Sequence, residues 1–338
     1  MVRVGINGFG RIGRAFFRAA WGTADIEIVG INDLGDAKNL AYLLQYDSVY
    51  RTFPALVRAE NGGLTVGDKR VHFSRERDPT TLPWRELSVD VVVESTGVFE
   101  SYEKASAHIA AGAKRVVITA PVKEDAPNGA TILVGLNEEK LATCQVSSNA
   151  SCTTNASSPL IAILDETVGI EKALLNTTHA YTATQSLVDG PVKGSDLRRG
   201  RAAAQNITPS STGAAVAVTK AYEGLQDKFD GISLRVPVVA GSIADITFVA
   251  KRTTTKEEVN EILRTAAKQE RWKGIFDASD EQLVSSDIIG NPHASVADLS
   301  MTRVVGGNLV KVLGWYDNEM GYAHTLVRHV KQTAKFIV

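Results

Sequence analysis

VRVGINGFGRIG, residues 2–13, runs from an alternating, strand-like segment into three glycines at GxGxxG spacing. Glycines so spaced also occur in ordinary turns, so the flanking sequence decides the reading. Val2 to Asn7 reads as a strand and Arg11 to Ala20 as a helix. A second strand ends near Asp33, about 20 residues on, where dinucleotide-binding folds place an acid. Gly8, Gly10 and Gly13 let the backbone turn and approach a pyrophosphate, whose charge the N–H groups and dipole at a helix start favour. Asn7 and Arg11 flank that turn. Asp33 is expected to accept hydrogen bonds from the adenosine ribose and to repel a 2′-phosphate, which favours NAD over NADP. The other reading of Asp33 is a cap for the helix after Gly35.

Working outward, β-branched runs at Ile26 to Asn32, Val89 to Glu94, Arg115 to Thr119 and Thr131 to Val134 alternate with helix-length amphipathic segments. That alternation predicts a Rossmann-type, doubly wound parallel sheet over residues 1–150. Between Phe53 and Ser74, short strands separated by Asn61, Gly62, Gly63, Gly67 and Asp68 suggest an antiparallel insertion. From Ser151 the chain starts a helix. A β-rich stretch (Leu174 to Thr182), a polar loop (Ala183 to Asn206) and strands at Gly231 to Val238 and Ile243 to Lys251 follow. These predict a second, α+β domain over 151–318 with a largely antiparallel sheet. Leu326, Val327 and Val330 fall at helical spacing, so 319–338 is expected to form a terminal helix that completes the first domain.

With 338 residues, 44% hydrophobic and 22% charged, the chain has enough apolar surface for two cores and no signature of disorder. A formal net charge of -1 lacks the basic excess that drives phosphate-backbone binding, so nucleic acid is not a favoured partner. The first residues enter a strand directly without a leader pattern. No apolar run reaches the ~18 residues of a membrane span. The expected location is cytoplasmic, with no membrane contact. The two cysteines, Cys144 and Cys152, can form no disulfide framework and lack partners at metal-ligand spacing, so no metal is expected.

Ser95-Thr96-Gly97 and Thr119 sit at carboxyl strand ends, where open α/β sheets bind ligands; both also read as plain turn residues. Cys152 lies in SNASCTTN, residues 148–155, where small polar residues precede the apolar helix Pro159 to Val168. A helix N-terminus acidifies a thiol, which makes Cys152 the candidate nucleophile. Cys144 lies in a strand-like run without such context and is assigned to packing. Among six histidines, His179 stands out at a polar strand end before Tyr181-Thr182. A strand histidine is more often structural than catalytic, so its position alone leaves the role open.

Six segments settle a resemblance: GINGFGRIG, SNASCTTN, HAYTATQ, RRGRAAAQNITPSSTGAA, RVP and WYDNEMGY. In order and spacing they resemble the glyceraldehyde-3-phosphate dehydrogenase family over essentially the whole chain. The resemblance implies NAD-dependent, phosphorylating oxidation of glyceraldehyde 3-phosphate through a thioester on Cys152, with His179 activating the thiol. It implies that Thr182, Arg199 and Arg235 meet the substrate phosphate, and that Ser151, Thr153, Thr212 and Gly213 lie near inorganic phosphate. NAD would be held by Arg11, Ile12, Asp33, Arg77, Thr119 and Asn318, with Leu34 and Pro191 in the NAD-preferring pattern. The loop from Ala183 to Asn206 resembles one placed between subunits, which implies a homotetramer. Arg198 and Arg201 in that loop have a second reading as residues that solvate the loop or bridge subunits. Ala156 stands where many members carry a second cysteine. Two rival readings are an erythrose-4-phosphate dehydrogenase, which releases an acid by hydrolysis, and a non-catalytic NAD-binding sensor.

Overall fold

The computed structural model describes residues 1–338 except 61, 125, 193 and 338, so the expected turn residue Asn61 lies outside the described residues. The chain forms two compact units, Met1–Ala150 with Ala323–Val338, and Ser151–Tyr322.

In the first unit, β1 (Val2–Asn7) leads into α1 (Arg11–Ala20), and β2 (Ile26–Asn32) into α2 (Ala37–Gln45). A two-residue ladder, β3 (Tyr46–Asp47) with β4 (Arg51–Thr52), precedes the insertion β5 (Val57–Glu60), β6 (Gly63–Val66) and β7 (Lys69–Ser74). β8 (Val91–Glu94), the single-turn helices α3 (Tyr102–Ala105) and α4 (Ala107–Ala110), β9 (Arg115–Ile118), β10 (Gly129–Thr131) and β11 (Val146–Ser148) follow. Among the described residues nine strands form one sheet in the order β10-β11-β9-β8-β1-β2-β7-β6-β5. The pairs from β10 to β7 are parallel, and β7-β6-β5 is the antiparallel insertion. Covered strands of a parallel sheet read as apolar runs, and all four residues of β8 are buried.

One expected strand is displaced. The apolar run Thr131 to Val134 was read as a strand, but β10 ends at Thr131 and Ile132, Leu133 and Val134 are buried beyond it. Asn137 satisfies that backbone instead, its Oδ1 accepting from Leu133 N at 2.9 Å and its Nδ2 donating to Thr131 O at 2.9 Å. Cys144 packs with Ile132 and Leu141, as its apolar setting implied.

The second unit opens with α5 (Cys152–Thr167), followed by β12 (Ile170–Ala180), β13 (Thr208–Ser211), α6 (Ala214–Ala221), β14 (Phe229–Val236) and β15 (Ser242–Ala250). Then come α7 (Lys256–Ala267), β16 (Phe276–Ser279), β17 (Ser295–Asp298), β18 (Arg303–Val305) and β19 (Leu309–Tyr316), whereas the final helix α8 (Met320–Ala334) belongs from Ala323 on to the first unit. The sheet order is β13-β14-β12-β15-β19-β17-β16, with β18 on β19. It is largely antiparallel, β12/β14 and β16/β17 being the parallel pairs. The outer strands of both sheets are short: β5, β13 and β16 have four residues each and β10 has three.

α5 begins at Cys152, one residue after the expected helix start at Ser151. Ser151 caps it, accepting from Thr154 N at 3.1 Å, and every residue from Thr153 to Leu164 is buried. Its polar residues satisfy the helix itself. Asn155 Nδ2 donates to Ser151 O at 2.9 Å, and Ser158 Oγ donates at 3.3 Å to Asn155 O, the carbonyl that Pro159 leaves without its helical donor.

The three N-terminal glycines do different work. Gly8 has φ +91°, and an added Cβ would stand 2.6 Å from Thr96 N. A Cβ on Gly13 would stand 2.2 Å from Gly8 O, so only glycine lets α1 pack against β1 this closely, whereas one on Gly10 meets nothing within 4 Å. Gly13→Ala is therefore expected to cost about 1–3 kcal/mol by overpacking. Gly10→Ala should cost under about 1 kcal/mol. Thermal unfolding of the two variants checks the ordering, and equal effects would contradict it.

Candidate active site

In the first unit a cavity of about 510 Å³ opens at the carboxyl ends of β1, β2 and β8, as open α/β sheets favour. Asn7, Gly8, Gly10, Asp33, Leu34, Arg77 and Thr96 line it. Glu76, Pro79, Val98 and Phe99 line it as well and were not singled out from sequence; their signal is their place a few residues beyond the ends of β7 and β8. Gly10, the N-cap of α1, presents open backbone there and brings no capping side chain, and Ile12 and Gly13 follow in the first turn.

Asp33 ties the end of β2 to the glycine turn: Oδ2 accepts from Phe9 N at 2.6 Å and Oδ1 from Gly35 N at 2.7 Å. The cap of the helix after Gly35 is Asp36 rather than Asp33, with Asp36 Oδ1 accepting from Asn39 N at 3.0 Å. The Arg11 guanidinium turns instead onto Asp47 and lies over the Tyr50 ring, 5.3 Å from its centroid. Burial pushes the Asp47 carboxyl up, but hydrogen bonds from Arg11 and from the N–H groups of Tyr50 and Val49 outweigh it and hold the group below the usual carboxylate range. Thr96 points both its N–H (2.8 Å) and its hydroxyl (2.5 Å) at Glu94 Oε1, so it lines the cavity while closing a turn. Thr119 is outside the lining residues; its N–H donates to Glu94 O at 2.9 Å.

In the second unit Cys152 is the first residue of α5, and its Sγ lies 3.3 Å from His179 Nε2 near the end of β12. The parallel β12/β14 register sets Arg235 beside His179. His179 Nδ1 is 2.6 Å from Ala180 O and 2.8 Å from Arg235 Nη1. A carbonyl only accepts and a guanidinium only donates, so Nδ1 serves one of them. As donor to the nearer Ala180 O, it leaves the Nε2 lone pair facing the thiol. Tyr316 Oη bonds Thr177 Oγ1 (2.7 Å) and Thr153 Oγ1 (2.9 Å), and its ring meets the imidazole edge to face, 5.9 Å between centroids.

Burial pushes the Cys152 thiol up and the His179 imidazole down to about 3. Acidification of the thiol was expected from the helix N-terminus. Its elements are present as Arg235 and the nearby Thr153 and Cys152 N–H groups, but burial outweighs them.

Arg199 donates to Ser210 Oγ at 2.9 Å and lies close enough to Arg235 to lower the latter's pKa, after the larger effect of burial. Two neighbouring guanidinium groups favour an anion between them. Thr182 Oγ1 bonds Thr184 Oγ1 at 2.9 Å. Thr212 Oγ1 accepts from Ala214 N at 3.2 Å, and Gly213 is the N-cap of α6. The Thr153 hydroxyl is buried against Tyr316, and Ser151 Oγ caps α5 by accepting from Thr154 N. Asn318 Oδ1 accepts from Ser242 Oγ at 3.0 Å. Arg198 and Arg201 pair with Asp196 (2.7 Å) and Asp189 (2.8 Å) within their loop.

Residues 2–102 match the profile of the glyceraldehyde 3-phosphate dehydrogenase NAD binding domain, and residues 151–318 that of the C-terminal domain of the same family. Glyceraldehyde-3-phosphate dehydrogenase of Streptomyces coelicolor is 48% identical over 96% of both chains, and that of Thermotoga maritima is 48% identical over 97% of both. A cytosolic glyceraldehyde-3-phosphate dehydrogenase of Leishmania mexicana is 46% identical over 99% of both. A nucleophile-and-base pair beside two arginines, in a chain with a dinucleotide-type fold, defines an aldehyde-oxidising dehydrogenase class. Within that class, the chain belongs to the glyceraldehyde-3-phosphate dehydrogenase family.

With the Nε2 lone pair as the base at the thiol, His179→Asn should move Cys152 alkylation by iodoacetamide to higher pH and slow it roughly tenfold at neutral pH, the equivalent of one pKa unit. An unchanged rate profile would show that His179 does not act on the thiol.

Proposed function

We propose that the chain catalyses NAD-dependent, phosphorylating oxidation of D-glyceraldehyde 3-phosphate to 1,3-bisphosphoglycerate, a step of glycolysis and gluconeogenesis. The observation that carries this reading is the 3.3 Å contact between Cys152 Sγ and His179 Nε2, with Arg235 alongside. The cavity at the glycine turn suits NAD: Gly10 leaves open backbone, and Asp33 lines the wall as an acid unfavourable to a 2′-phosphate. Gly8, Gly10, Arg11, Ile12, Gly13, Asp33, Arg77 and Thr96 would hold the cofactor, with Thr119 and Asn318 as further contacts. Arg11 would act through its main chain, since its side chain is paired with Asp47. NAD supplies the hydride acceptor.

Cys152 Sγ attacks the aldehyde carbon, its proton passing by way of His179 Nε2 to the carbonyl oxygen, and a hemithioacetal forms. His179 then takes the hydroxyl proton as the carbon loses hydride, leaving a thioester on Cys152. The Cys152 N–H and His179 stabilise the oxygen while it carries negative charge. Inorganic phosphate attacks the thioester carbon and the Cys152 thiolate departs, recovering its proton from His179. Thr182, Arg199 and Arg235 would bind the substrate phosphate, and Ser151, Thr153, Thr212 and Gly213 the attacking phosphate. The acyl–oxygen bond of the product keeps the energy that hydrolysis would lose.

A homotetramer belongs to the same proposal. The 183–206 loop supports it by exposing Leu187, Val188 and Leu197, each at least 73% accessible, where an apolar partner surface is the natural cover. A cytoplasmic location rests on the cytosolic relative, and among the described residues no helix is long and apolar enough to cross a membrane.

NADH formation followed by absorbance should require both glyceraldehyde 3-phosphate and inorganic phosphate, and NADP should serve at least about tenfold less well. Cys152→Ser should remove turnover while NAD still binds. Oxidation that proceeds without phosphate, or that prefers erythrose 4-phosphate, would transfer the assignment to the hydrolysing relative. NAD binding without turnover would favour the sensor.

A further inference from the structure

Behind the cavity lies a buried polar network that the chemistry does not use. The Glu94 side chain is 1% exposed and that of His108 0%. Trp84 Nε1, which can only donate, reaches His108 Nδ1 at 3.0 Å, so Nδ1 is an acceptor and the ring proton sits on Nε2. His108 Nε2 then donates to Glu94 Oε2 at 2.9 Å, and Asn7 Nδ2 donates to the same oxygen at 2.6 Å. Glu94 Oε1 accepts from the Thr96 N–H and hydroxyl. A carboxylate accepting four donors, none from lysine or arginine, is held by oriented dipoles alone.

We propose that Glu94 is a positioning residue for the cofactor, acting through the turn it closes. Its strand end, β8, adjoins β1, and the Ser95–Thr96 turn is the surface against which Gly8 packs. Ser95 Oγ donates to Gly8 O at 2.6 Å, fastening the two turns together. The network continues across the sheet, with Asn32 Nδ2 donating to Asn7 Oδ1 at 2.7 Å and to Glu76 O at 2.9 Å. Glu94 and His108 are absent from the cavity lining, whereas Asn7, Asn32, Glu76 and Thr96 are on it. The carboxylate thus sets four lining residues and the glycine turn without meeting the ligand.

This inference rests on the cavity being the NAD site, and the test separates the two. In Glu94→Gln one oxygen becomes an NH2 group that faces donors, so either Thr96 or the Asn7 and His108 pair loses its acceptor. NAD affinity, measured by calorimetry, should fall about tenfold or more, and the KM for NAD should rise in step. The Tm falls as buried donors lose their acceptor, but kcat at saturating NAD and the alkylation rate of Cys152 without NAD should change little. A merely structural role would move those controls together with NAD binding and so overturns the proposal, as does unchanged affinity in the folded variant. Should Glu94→Gln not fold, His108→Gln carries the test, because His108 cannot touch the ligand: several-fold weaker NAD binding supports the proposal and wild-type binding overturns it. Failure of the unmutated chain to bind NAD overturns the cavity's assignment itself, and this inference with it.

Discussion

Gly13 approaches the carbonyl of Gly8 so closely that a methyl carbon would stand 2.2 Å from it, and that approach decides where α1 can begin. Once α1 starts there, its N-terminus and the ends of β1, β2 and β8 face one space, which becomes the cavity. The residues that hold this approach in place do not supply the chemistry. Asp33 fastens Phe9, Ser95 fastens Gly8, and Asp47 takes the Arg11 guanidinium. An anion is then met by backbone and helix dipole rather than by a long, mobile cation.

The second unit follows the opposite plan. Cys152 begins a helix buried along nearly its whole length, and its base projects from a strand in the middle of a sheet. Nucleophile, base and arginine are set by strand register and helix packing, so their spacing does not depend on a flexible loop. Ala150, two residues before the thiol, has φ +53°, in the left-handed region uncommon for alanine, and its N–H is held by Ser148 Oγ at 3.0 Å. The tight bend that starts α5 is therefore built before the helix begins.

β1 and α1 were legible because a covered parallel strand and an amphipathic helix impose different periods on the sequence, and both lie at their expected bounds. Thr131 to Val134 misled because an apolar run says that a segment is buried but not what pairs its backbone; here a side chain six residues on, Asn137, does so. The start of α5 just after Ser151 was legible, but not how its polar residues could be buried: the side chains of Thr153, Asn155, Ser157 and Ser158 bond within the helix or against Tyr316. Gly8, Gly10 and Asp33 could be picked out locally, as their spacing is the chemistry. The Cys152–His179 pair and the Glu94–His108 pair join separate elements, 27 and 14 residues apart, and no local pattern announces either.

The short outer strands of both sheets bear on a different matter. β5 carries Arg58 and Glu60, β10 spans three residues, β13 contains Pro209 with no N–H to offer, and β16 ends after four. Central strands of up to eleven residues are thereby flanked by edges too short, charged or donor-poor to template another chain. At the high concentrations of a crowded cell such sheets resist growing edge to edge into fibres. A second copy of this chain would find side-chain faces and loops rather than strand edges to meet.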